Sequence, residues 1–120
     1  MFHAYANAIE VLRLLPPVIA RIKKHDRDLA NQMQRAATSM VLNIGEGCGR
    51  AGGDRRRCHE IAFGSAMEVS AALETARMWE WLGDTSALDR ALDRERGLLF
   101  GLLKGSFNES GPTRARASDR

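Results

Sequence analysis

Four arginines, Arg50, Arg55, Arg56 and Arg57, fall within one eight-residue stretch of this 120-residue chain. Guanidinium forks match the oxygens of phosphate groups, so the chemistry this spacing offers is anion binding. Cys48, Cys58 and His59 flank the same stretch and are the nearest approach to a zinc set. A structural zinc needs four ligands, and no Cys-x-x-Cys and no fourth ligand accompany them, so the two cysteines read as small apolar packing residues. A di-iron bundle needs Glu-x-x-His on two helices, and none of His3, His25 and His59 has a glutamate three positions earlier. Gly45-x-Gly47-x-Gly49 has no Gly-Lys-Ser/Thr and follows a helix pattern, which differs from a phosphate loop. Ser65 has no histidine within reach as a base. The expectation is a protein that binds, with no catalytic residues, no cofactor, no metal and no small-molecule substrate.

The elements that carry these residues are helical. Leu, Ala, Met and Arg dominate and aromatics are only 6 % of the chain, which predicts an aliphatic, alanine-rich helical core. Ala8, Val11, Leu12, Leu15, Ile19 and Ile22 recur at helical spacing and predict a first helix over 3–25, kinked or broken near Leu14-Leu15 by Pro16-Pro17. Asp26 or Asp28 caps a second helix whose stripe is Leu29, Met33, Ala36, Ala37, Met40, Val41 and Ile44, ended by Gly45, Gly47 and Gly49. Asp54 caps a third, to about Leu82, with the stripe Cys58, Ile61, Ala62, Ser65, Val69, Ala72, Leu73, Ala76 and Trp79 or Trp81. Gly83-Asp84-Thr85 separates it from a fourth carrying Leu88, Ala91, Leu92, Leu99, Leu102 and Leu103. The fold class is all-α, an antiparallel up-down-up-down four-helix bundle with a Pro-kinked first helix. One domain spans 1–107, and 108–120, with three arginines and Gly111-Pro112, reads as a disordered basic tail.

A turn centred near Ala51 makes residues of helices two and three face one another when their numbers sum to about 102. That register sets Arg35 opposite Glu68 as an interhelical ion pair and brings Ala36, Ala37, Gly64, Ser65 and Ala66 together. Asn43 to Glu46 then face Arg56 to His59. A carboxylate at a helix C-terminus is disfavoured by the dipole, so Glu46 should pair with Arg55, Arg56 or Arg57, or accept from nearby backbone N–H groups. The same topology gathers the four arginines and both chain ends at one end of the bundle, with Lys23, Lys24 and Arg27 at the other.

Charge is uneven. Residues 11–57 hold ten Lys/Arg against four acids, while 58–107 hold five against eight. A basic half points to an anionic partner or to self-association through unlike faces. No apolar run is long enough to cross a bilayer, no signal peptide is expected, and two cysteines suit a reduced, cytoplasmic setting.

The run Leu29-Ala30-Asn31-Gln32-Met33-Gln34-Arg35-Ala36-Ala37-Thr38-Ser39-Met40-Val41-Leu42-Asn43-Ile44-Gly45-Glu46-Gly47 resembles the "L..Q..RA..S...NI.EG" signature of the bacterial four-helix bundle proteins, also called 23S rRNA intervening-sequence proteins. Phe63-Gly64-Ser65-Ala66-x-Glu68 resembles their second signature, small residues followed by glutamate on helix three. The resemblance marks Arg35, Asn43, Glu46, Ser65 and Glu68 as structural motif residues. The family includes the accessory variability determinant of diversity-generating retroelements, a positively charged pentameric barrel that binds a reverse transcriptase and nucleic acid. The resemblance therefore implies a homo-oligomer, a pentamer, binding RNA, DNA or a reverse transcriptase through Arg50, Arg55, Arg56 and Arg57. The competing expectation is a protein-binding adaptor that uses the acidic second half and Trp79 or Trp81.

Overall fold

The computed structural model describes the backbone of residues 2–110 and the side chains of residues 2–105. Its elements are four helices: α1 (Phe2–Lys23), α2 (Arg27–Cys48), α3 (Gly52–Met78) and α4 (Ser86–Ser110). No strand occurs among the described residues. The expected tail lies outside them beyond Ser110.

Each helix packs against two neighbours, α1 and α3 both touching α2 and α4. Paired residues run in opposite senses along the α2–α3 and α3–α4 contacts. Ser39 meets Ser65 and Gly47 meets His59 across α2 and α3; Arg96 meets Ser70 and Arg77 meets Asp89 across α3 and α4. The result is an antiparallel four-helix bundle, 53 Å long and 21 × 20 Å across. Its core is aliphatic, with Val11, Leu15, Ile22, Met33, Met40, Ile44, Val69, Leu92 and Leu99 nearly or fully buried. Alanines such as Ala37, Ala62, Ala66 and Ala76 leave room for the backbones to approach.

Local chemistry sets the boundaries. Asp26 is the N-cap of α2, its Oδ1 accepting the Leu29 N–H at 3.0 Å, so one orphan donor of the first turn is satisfied. α1 is not broken at Pro16-Pro17; both prolines lie on its exposed face, where water can serve the carbonyls that lose their N–H partners. α2 runs through Gly45 and Gly47 to Cys48, and its C-cap Gly49 has φ −95°, outside the left-handed region. The left-handed residue of the turn is Gly52, φ +60°. α3 starts there, before Asp54, and Ala51 at its N-cap makes no side-chain bond.

α3 ends four residues before the expected Leu82. The Glu80 N–H donates to the Arg77 carbonyl (2.9 Å) and the Trp81 N–H to that of Ala76 (3.1 Å), the bond pattern of a Schellman ending. Glu80 stands at the left-handed position, φ 63°, where glycine is the usual occupant. That identity hid the ending and made Gly83 the apparent stop.

Candidate functional site

The hinge between α2 and α3, residues 49–51, carries the arginines. Gly49 and Arg50 donate their N–H groups back to Glu46 and Gly47, closing α2. Arg55 Nε then donates to the Arg50 carbonyl at 2.8 Å, tying the first turn of α3 to the hinge. Arg50 pairs with Glu46 at 2.9 Å and Arg56 with Glu60 at 3.3 Å, each one helical turn apart. Arg57 is exposed, and its side chain makes no ion pair among the described residues. The four expected residues are therefore brought together at one end of the bundle, two of them beside glutamates that lower the net charge of the patch.

Glu46 does find an arginine, but it is Arg50 rather than the three expected. The Arg35–Glu68 ion pair is not formed: both side chains are exposed and neither is bridged. The cause is facing: the Ser39–Ser65 contact sets Arg35 and Glu68 at nearly the same height along the bundle, but both side chains project from the outer faces of their helices. Arg35 lines an outward hollow built only from α2, with Asn31, Gln34, Thr38, Ser39, Leu42 and Asn43. Gly64 also faces outward, with nothing within 4 Å of where a Cβ would stand.

Ser65 and Asn43 belong to one polar seam in the α2–α3 contact. Ser65 Oγ donates to Ser39 Oγ at 3.0 Å, and Asn43 Nδ2 reaches the Ser39 carbonyl at 2.9 Å. The seam's polar groups bond one another and so orient the two helices.

Beneath the hinge lies His59, 1 % exposed, with neither ring nitrogen hydrogen-bonded. Burial, aided by the Arg55 cation, pushes its pKa below the usual imidazole value, so the ring is held neutral. Gly47 packs on it so closely that an added Cβ would stand 3.1 Å from Cδ2 and Nε2. Glycine at this position thus serves close approach, not helix termination. Cys48 is exposed, Cys58 half-buried, and both are free thiols. Among the described residues no group of three His, Cys, Asp or Glu side chains is placed to hold a metal ion.

Sequence reasoning missed the most perturbed group. Glu95 on α4 is fully buried between α4 and α1. Asn7 Nδ2 donates to its Oε1 at 2.9 Å and also to the Ala91 carbonyl at 2.9 Å, while Oε2 has no partner. Burial is the main cause that pushes the carboxyl up to about 7; the Asn7 bond and the Arg94 charge oppose it only partly. The signal was present: Leu88, Leu92, Glu95 and Leu99 keep i, i+4, i+7, i+11 spacing, so the glutamate occupies a core position.

No described helix is long and apolar enough to cross a membrane. A family model, the 23S rRNA-intervening sequence protein, matches residues 3–96 of the chain. No curated protein and no solved structure matches it.

Proposed function

For a chain that belongs to the 23S rRNA-intervening sequence protein family, we propose a non-catalytic role: a homo-oligomeric bundle, a pentamer, that binds RNA or DNA, or a reverse transcriptase working on them, through its arginine hinge. The observation that carries this reading is the hinge itself. Arg50, Arg55, Arg56 and Arg57 share one end of the molecule, and the Arg55 bond to the Arg50 carbonyl preorganises that end. One hinge is a modest cation, because Glu46 and Glu60 take up two of its arginines. Five copies around an axis would multiply Arg55 and Arg57 into a ring strong enough to hold a phosphate backbone. Binding of that kind is tolerant of sequence and weakens steeply with salt.

A mobility-shift titration of the assembled protein with labelled RNA and DNA at low salt tests the proposal. The wild type shifts nucleic acid, and an Arg55→Ala/Arg57→Ala variant of unchanged assembly loses most of the shift. Absence of a shift by the assembled wild type refutes nucleic-acid binding. A variant that binds a protein partner as well as the wild type, with no nucleic acid bound by either, identifies an adaptor instead.

A further inference from the structure

The end of the bundle opposite the hinge holds three near-parallel rings. His25, in the α1–α2 turn, stacks on Trp81 with centroids 4.9 Å apart and planes 4° from parallel. Trp79 lies against Trp81 at 6.1 Å and 16°. Trp81 is half-buried against the core, but Trp79 is 65 % exposed and its neighbour Met78 67 %. A tryptophan that open to water has lost most of the hydrophobic benefit of its size, so burial in the monomer does not account for it.

The rings are held in place. Arg77 reaches from α3 to Asp89 (2.5 Å) and Thr85 (3.1 Å) on the α4 side, clamping both ends of the segment that bears Trp79 and Trp81. Glu80 keeps a left-handed backbone between the two tryptophans, in the turn that closes α3. Lys23, Lys24 and Arg27 are exposed around His25, and none takes part in an ion pair among the described residues.

We propose that the His25–Trp81–Trp79 stack is a second nucleic-acid contact, on which an unpaired base of single-stranded RNA or DNA stacks against Trp79 while Lys23, Lys24 or Arg27 meets the adjoining phosphates. The inference rests on the reading of the chain as a nucleic-acid binder but assigns a different end of the molecule. A base has the flat π-face that continues such a stack, and aromatic platforms flanked by cations are how single strands are held without sequence preference. Asp26 and Asp28 adjoin the same cations in the sequence, so this contact draws on stacking more than on net charge. It is therefore selective for single strands, where the hinge is indifferent to strandedness. Duplex bases are already stacked on one another and offer no face.

The test is intrinsic tryptophan fluorescence of the full-length assembled protein, titrated with an unstacked oligouridylate and with a duplex of equal length. Trp79 is exposed, so Trp79→Ala keeps the fold, verified by an unchanged circular dichroism melt. Expected is saturable quenching by the single strand and little by the duplex. Trp79→Ala weakens single-strand binding by about tenfold or more, measured by anisotropy of a labelled strand, and Trp79→Phe keeps it within about threefold. The hinge variant Arg55→Ala/Arg57→Ala separates the two claims. If it binds the single strand normally and Trp79→Ala does not, the hinge reading fails and the stack stands. If the hinge variant loses binding while Trp79→Ala equals the wild type, the stack is overturned and the hinge stands. Quenching by duplex equal to that by single strand also overturns the stack.

Discussion

Replacing Glu95 by glutamine isolates a single buried charge. In the folded protein burial raises its carboxyl from the ordinary 4.5 to about 7. The folded state therefore holds the proton more tightly than the unfolded chain. Stability from this group is fully present below about pH 4.5, declines as pH rises toward 7, and stays lost above it. A difference of this size corresponds to about 3 kcal/mol at about 1.4 kcal/mol per pKa unit. The substituted amide has no charge to desolvate. Its carbonyl can still accept from Asn7, but its N–H donors land where Oε2 finds no partner, at a cost of about 1–3 kcal/mol. The net expectation is a variant no more stable than wild type at pH 5, yet equal or superior to it at pH 8. The assay is urea unfolding followed by circular dichroism at both pH values. Subtracting the pH dependence of Glu95→Gln from that of the wild type removes every other titrating group. A difference near 3 kcal/mol is expected; parallel pH profiles would refute the claim that Glu95 is buried with an unmet oxygen.

Three other perturbations test the packing around both ends. His59 is held neutral by burial, so its contribution is present above the ordinary imidazole pKa of 6.5 and is lost as pH falls below it; His59→Leu should flatten acid destabilisation in the same unfolding assay. Gly47→Ala would set a Cβ 3.1 Å from the His59 ring and should cost about 1–3 kcal/mol, read as a lower urea midpoint with an unchanged slope. Glu80→Gly relieves the left-handed residue after α3 and should raise stability by about 1 kcal/mol, read as a higher urea midpoint.

Helix number and most stripe positions, though not Ile61, which is exposed, were legible because they follow from 3.6-residue periodicity and short connections, which leave few ways to pack four helices. The Asp26 cap was legible as one of two candidates, since the chemistry of a capping aspartate is local. The facing of Arg35 and Glu68 was not: a sum of residue numbers gives height along the bundle but not direction around each helix, and both residues sit on outer faces. His59 and Glu95 were passed over for a different reason. Reading polar residues as surface residues fails where a packed bundle accepts a charge or a ring in its core, and the stripe spacing should have outranked residue type at both positions. Gly47 looked like a terminator because the partner it approaches lies on another helix.

Sedimentation velocity of a fluorescently labelled RNA mixed with the protein probes assembly and binding together. The account predicts that at low salt the label travels with a species several times heavier than the 13.3 kDa monomer, and that raising the salt frees the RNA while the protein stays assembled. RNA sedimenting free at low salt alongside an intact oligomer would contradict it.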